Sequence, residues 1–195
     1  MRSAAFITAA LASVTSAATI PARATAESFT LISIDSGSSI QNAAISASND
    51  AFWIGRGTSS SCPDSVGTSC PEGTTTALTV GQDGTIQMDV EVPGGQQLYV
   101  GPKGVLSYTI PHSAATPEGS SVQGFKYTAG ASGSVGSLIF EDVGFAACPV
   151  VDGTLTGKLY QIYATVEDGK YTTNCTGISL GAVSYTGDVA AWEYN

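Results

Sequence analysis

Apolar and polar positions alternate most cleanly in residues 158–166. Leu159, Gln161, Tyr163 and Thr165 fall on one face of an extended strand, and Tyr160, Ile162, Ala164 and Val166 on the other. The second set is apolar throughout, which predicts a buried face. Residues 28–34 alternate in the same way, and so predict a strand. Between these lie short apolar runs at 40–47, 51–55, 75–80, 85–92, 97–101, 104–110, 122–128, 135–141 and 144–147; 177–185 and 189–194 finish the chain. Gly81-Gln82-Asp83-Gly84 separates two of them as a hairpin turn would. Residues 58–74 and 111–121 read as polar loops. Beyond the N-terminus, no window repeats apolar residues at i, i+3, i+4 and i+7. Short strands broken by Gly, Pro, Asn and Asp turns predict an all-β domain of about ten to twelve short antiparallel strands, a small barrel or a sandwich.

The N-terminus departs from this pattern. Arg2 precedes an apolar run from Ala4 to Val14, and small residues follow at Thr15-Ser16-Ala17-Ala18. This is the layout of a secretory signal cleaved after Ala17 or Ala18. The run is too short to span a bilayer, which takes about 20 apolar residues. The expected organisation is a signal at 1–18, a linker or short pro-segment at 19–27, and one domain at 28–195.

The four cysteines of an exported chain then read as disulfides. Three pairings can be drawn, and the local one, Cys62 with Cys70 and Cys148 with Cys175, is favoured. Loop entropy gives about 2.5 kcal/mol for the first bond and about 3.5 kcal/mol for the second. The Cys spacing with a single histidine does not suit a zinc finger or ribbon. No cofactor is expected. Asn174-Cys175-Thr176 is an N-glycosylation acceptor sequence, which marks Asn174 as a candidate glycan site.

Charge narrows the partners. Seven Lys and Arg stand against 16 Asp and Glu, a formal net charge of −9. Such a chain repels phosphate backbones and anionic bilayers, so neither nucleic acid nor membrane insertion is expected.

Candidate catalytic groups are sparse. Asp35-Ser36-Gly37-Ser38 resembles an aspartic-protease loop, but that chemistry needs a second such aspartate, and none follows. Gly177-Ile178-Ser179-Leu180-Gly181 fits G-x-S-x-G, yet the one histidine, His112, precedes it, and strand is predicted on both sides. Asp89 with Glu91, and Glu141 with Asp142, are the carboxylate pairs open to glycoside hydrolysis; Asp89 and Glu91 would share a strand face about 7 Å apart. Trp53, Tyr99, Tyr108, Tyr127, Tyr163, Trp192 and Tyr194 are the rings available for sugar stacking or for the core.

Five segments carry a resemblance: Ser36-Gly37-Ser38, Gln97-Leu98-Tyr99-Val100, Ala147-Cys148-Pro149, Asn174-Cys175-Thr176-Gly177 and Ala191-Trp192-Glu193-Tyr194. The chain resembles the fungal PhiA-like cell-wall proteins, labelled IgE-binding proteins, and related secreted elicitors of plant defence. It departs from them in a longer Cys62–Cys70 loop and in ending without a further cysteine. The resemblance implies a secreted, wall-associated β-protein without known catalysis, linked to conidium and wall development. Its implied partners are a cell-wall polysaccharide or wall protein, or a host receptor. It carries over no active-site residue. A carbohydrate-binding module or glycan-active enzyme is the other class in view.

Overall fold

A computed structural model describes residues 27–131, 133–150, 159–166 and 174–195. The signal segment, nearly all of the 19–27 linker and Glu167-Asp168-Gly169-Lys170, whose sequence predicts a tight turn, lie outside them. The strands are β1 (Ser28–Ile34), β2 (Ala44–Ser48), β3 (Ala51–Ile54), β4 (Ser60–Ser61), β5 (Leu78–Val80), β6 (Ile86–Met88) and β7 (Leu98–Val100). There follow β8 (Leu106–Tyr108), β9 (Phe125–Thr128), β10 (Gly136–Phe140), β11 (Phe145–Pro149), β12 (Tyr160–Ala164), β13 (Thr176–Ser184) and β14 (Glu193–Tyr194). The described helix is one 3-10 turn, Gly67–Ser69.

The sheet closes on itself. β1 pairs β2, β2 pairs β3, β3 pairs β12, β12 pairs β11, β11 pairs β13, and β13 returns to β1, all antiparallel. These six strands form a barrel, which decides between the two architectures the alternation allowed. Closure leaves those six without a free edge. β5 with β6, and β10 with β9, extend the sheet, while β7 and β8 are carried on β3. β4 and β14 form a separate two-stranded ribbon.

Alternation sends Phe29, Leu31 and Ser33 of β1, Ile162 and Ala164 of β12, and Ile178, Leu180 and Ala182 of β13 to buried positions. The buried hydroxyl of Ser33 is satisfied by the Ile40 carbonyl. On β12 the expected apolar face is only partly buried: Ile162 and Ala164 are inside, whereas Tyr160 and Val166 are half-buried. Leu159, assigned to the polar face, is 1% exposed and packs in a second cluster with Ala51 and Trp53. The reason is that Ala51 and Trp53 of β3, with Val105 and Val150 beside them, form an apolar cluster outside the main core, so both faces of the chain meet apolar partners at the start of β12. The run predicted at 40–47 begins as a turn, with Asn42 at φ 59°, and the strand starts only at Ala44. Residues 58–74, read as loop, contain β4: Ser60 and Ser61 pair Tyr194 and Glu193, partners at least 132 residues away that no local pattern announces.

Candidate functional site

The motif residues go into the scaffold. Asp35 heads a turn in which the Ser38 N–H donates to the Asp35 carbonyl at 3.1 Å, with Gly37 at φ 86°. A left-handed position of that kind suits glycine. G-x-S-x-G lies wholly within β13, so there is no strand–turn–helix elbow. Ser179 faces outward, and Gly181 is there for space. A Cβ on it would stand 2.8 Å from Val135 Cγ1 and 2.9 Å from Ile32 Cγ1.

The carboxylate pairs do not converge either. Asp89 and Glu91 were expected on one strand face, but β6 ends at Met88. Asp89 is 4% exposed, while Glu91 is at the surface. The chain leaves its alternation here because the Asp89 N–H donates to the Ala77 carbonyl and the Glu91 N–H to the Ala191 carbonyl. Glu141 and Asp142 sit on the exposed turn after β10, where Asp142 pairs Lys126 at 3.1 Å. Among the described residues no group of three or more His, Cys, Asp or Glu side chains is placed to hold a metal ion.

Most of the candidate rings are structural. Tyr108 and Tyr194 are buried, 6.3 Å apart, and Tyr108 also meets Phe52 edge-on. Burial raises both phenols far above the usual tyrosine range. Trp53 donates its indole N–H to the Ser48 carbonyl at 2.7 Å, and the Arg56 guanidinium lies 4.7 Å above its ring. Tyr163 donates to Gln161 Oε1. Tyr127 stacks on Phe29 at 4.5 Å but keeps partial exposure.

The cysteines form Cys62–Cys70 and Cys148–Cys175. The second bond occupies the rung after Ala147↔Thr176 in the β11–β13 ladder, so it clamps two barrel strands in register. Asn174 is exposed at its edge.

What sequence reasoning missed is Tyr185. It follows the last residue of β13, and its N–H donates to the Ser28 carbonyl at 2.8 Å, which fixes it beside the start of β1. Gly187 packs against its ring: a Cβ there would lie 2.6 Å from Tyr185 Cζ. Two clefts share this tyrosine. The first, about 670 Å³, runs between the 69–75 arm and the 185–190 segment and includes Glu72, Glu91 and Asp188. The second, about 650 Å³, runs past Glu27 and Tyr127 to residues 129–131 and 133–135. The Gly73 N–H donates to the Ala190 carbonyl at 3.0 Å, tying the two arms of the first cleft together.

The electrostatics of this surface are one-signed. Among the described residues, its charged lining is all acidic, and no lysine or arginine lines either cleft. The Tyr185 phenol is pushed up, first by burial and then by the charges of Asp89, Asp188 and Glu72. It is therefore a neutral hydroxyl donor and a partly exposed ring at neutral pH. Such a surface disfavours anions and suits a neutral or amine-bearing ligand that can stack and hydrogen-bond. Nothing in the local pattern could have found it, because Glu72, Glu91, Tyr185 and Asp188 come from three separated segments.

Comparison with known proteins agrees with the extracellular reading. An uncharacterized secreted protein of Arthroderma benhamiae is 39% identical over 156 residues, covering 76% of this chain and 75% of that one. No solved structure matches. The family model of the PhiA-like secreted proteins matches residues 29–195, the whole barrel with both disulfides. This chain is a secreted protein and belongs to the PhiA-like secreted protein family.

Proposed function

We propose that this secreted protein is a non-catalytic, wall-associated interaction protein that holds cell-wall polysaccharide against Tyr185, with a role in wall or conidium development. One observation carries the reading: two clefts of about 670 and 650 Å³ meet at a single half-exposed tyrosine. Polymer chains suit open, elongated clefts, where a ring supplies a stacking face and neighbouring hydroxyls supply hydrogen bonds. The family name supports a secreted setting and attaches no reaction to it. The separation of buried Asp89 from exposed Glu91 speaks against the hydrolase reading.

The test is retention of the mature protein on insoluble chitin, β-glucan and cellulose, compared with Tyr185→Ala and Gly187→Ala. The expected result is retention on at least one polymer, lost in Tyr185→Ala and weakened in Gly187→Ala, whose methyl group displaces the ring. No retention on any of the three, or equal retention of Tyr185→Ala, sinks the proposal. Extraction of native walls checks location: protein found only in the medium refutes wall association.

A further inference from the structure

A separate cleft of about 630 Å³ opens where β6 approaches β7. Its lining includes Gln87, Gln97, Thr109, His112, Ser113 and Gly94 and, among the described residues, no lysine, arginine or carboxylate. It is thus unlike the acidic surface at Tyr185. Gln87 and Gln97 oppose each other in an antiparallel bridge. Opposed residues stand with Cβ atoms about 5 Å apart on one face of a sheet, so the two amides are neighbours.

Three observations make this more than a polar hollow. First, neither glutamine amide makes a hydrogen bond to any described residue, although each carries N–H donors and a carbonyl acceptor. The adjacent Gln96 shows the contrast: its amide is fully engaged, with Thr109 and Tyr194. Second, the backbone beneath Gln97 is locked. Its N–H donates to Thr109 Oγ1 at 2.9 Å, and its carbonyl accepts the Thr109 N–H at 2.9 Å. A free amide is thereby presented from a rigid base, which lowers the entropy lost on binding. Third, His112 lines the cleft from a left-handed backbone position, φ 59°. Glycine would hold that turn with less strain, so the imidazole sits there at a backbone cost.

Paired free amides beside an imidazole, with no described lysine, arginine or carboxylate in the lining, match a ligand rich in hydroxyl groups that act as donor and acceptor at once. We propose that this cleft is a second binding site, for a hexose unit of a neutral glycan, with Gln87 and Gln97 as its hydrogen-bonding residues and His112 as a contact. It does not depend on the Tyr185 surface binding anything.

The experiment is amide and side-chain NMR of the mature protein titrated with laminarihexaose and with chitohexaose, and with oligogalacturonate as the charged control. Shifts of the Gln87 and Gln97 side-chain amides and of His112 with at least one neutral hexamer are expected. Gln87→Ala and Gln97→Ala should each weaken that binding by about three- to tenfold, the worth of one neutral hydrogen bond or slightly more. His112→Gly should weaken it too, without loss of fold, because glycine suits the backbone there. Tyr185→Ala should leave the shifts at this cleft in place, which separates failure here from failure at the other surface. The inference is overturned if neither neutral hexamer shifts these residues, if both glutamine variants bind as well as the parent, if oligogalacturonate binds equally, or if Tyr185→Ala abolishes the shifts.

Discussion

Replacing Gln96 by leucine tests what holds the C-terminal ribbon to the barrel. Gln96 is 1% exposed. Its Nε2 donates to the Thr109 carbonyl and to the Tyr194 carbonyl, each at 2.9 Å, and its Oε1 accepts the Tyr194 N–H at 2.7 Å. One amide, on the segment that leads into β7, therefore joins β14 to the residue that follows β8. Leucine has a similar volume, so no large cavity opens and the loss is polar. Three buried backbone groups lose this partner. Each buried group left unsatisfied costs about 1–3 kcal/mol, and neighbours in one network do not simply add. The expected loss is about 3–6 kcal/mol, a large share of the roughly 5–15 kcal/mol by which domains are stable.

Equilibrium urea unfolding, followed by far-UV circular dichroism and by the fluorescence of Trp53 and Trp192, measures it. The midpoint should fall with little change in slope, since the surface exposed on unfolding is nearly the same. Melting should drop by roughly 8–20 °C. Gln97→Leu is the internal control: the neighbouring amide is half-exposed and unbonded, so its removal should change stability by less than about 0.5 kcal/mol. If Gln96→Leu unfolds within about 1 kcal/mol of the parent, or if the two variants are alike, the amide does not anchor the ribbon and the reasoning fails.

Three further outcomes follow from the same packing. Gly181→Ala should cost about 1–3 kcal/mol in urea unfolding, because its methyl group meets Val135 and Ile32; Ser179→Ala should cost almost nothing, and an effect of the reverse order would mean that the motif serves Ser179. Cys148→Ala with Cys175→Ala should lower stability by about 3.5 kcal/mol and Cys62→Ala with Cys70→Ala by about 2.5 kcal/mol; a larger loss from the second pair would show that the 62–70 loop, and not the β11–β13 clamp, secures the fold. Tyr108 and Tyr194 have hydroxyls pushed up by burial, whereas the unfolded chain ionises near 10. Their contribution is complete below about pH 10 and is lost as pH rises above it, on the order of 2 kcal/mol each by pH 12; stability that is flat from pH 9 to 12 contradicts this.

Local pattern carried the strands and not their partners. β1 was legible to the residue because Phe29, Leu31 and Ser33 alternate with half-buried neighbours. The hairpin of β5 and β6 was legible because its turn residues lie between two apolar runs, and Leu78↔Met88 and Val80↔Ile86 are its rungs. Closure of the barrel rests on β1 meeting β13, from Phe29↔Ser184 to Ile34↔Ser179, across almost the whole domain. No short-range signal encodes such a contact, so alternation alone left barrel and sandwich equal. The same limit hid β4, whose two serines owe their strand form entirely to Glu193 and Tyr194.

The candidate site failed to show in the sequence for a related reason. Motif reasoning looks for reactive groups close together in the chain, and the motifs found that way serve the scaffold or stay dispersed on the surface. Asp35 makes a turn, and Gly181 makes room for Val135 and Ile32. Tyr185 has no motif around it. It becomes a candidate only because β13 ends against Ser28 while the 69–75 arm is tied to Ala190, so that residues over a hundred positions apart border one surface. A closed barrel makes this a general consequence. Its strands commit their inward side chains to the core, and surfaces such as the one proposed at Tyr185 are built by arms that cross its rim, where sequence spacing says nothing about distance. For this family, variation in the 69–75 and 185–190 arms should therefore change ligand preference while leaving the barrel intact. Exchanging both arms with those of a relative should transfer glycan preference without shifting the melting temperature by more than a few degrees. A swapped protein that unfolds would show that the arms are part of the barrel's stability, and one that keeps its original preference would place recognition elsewhere.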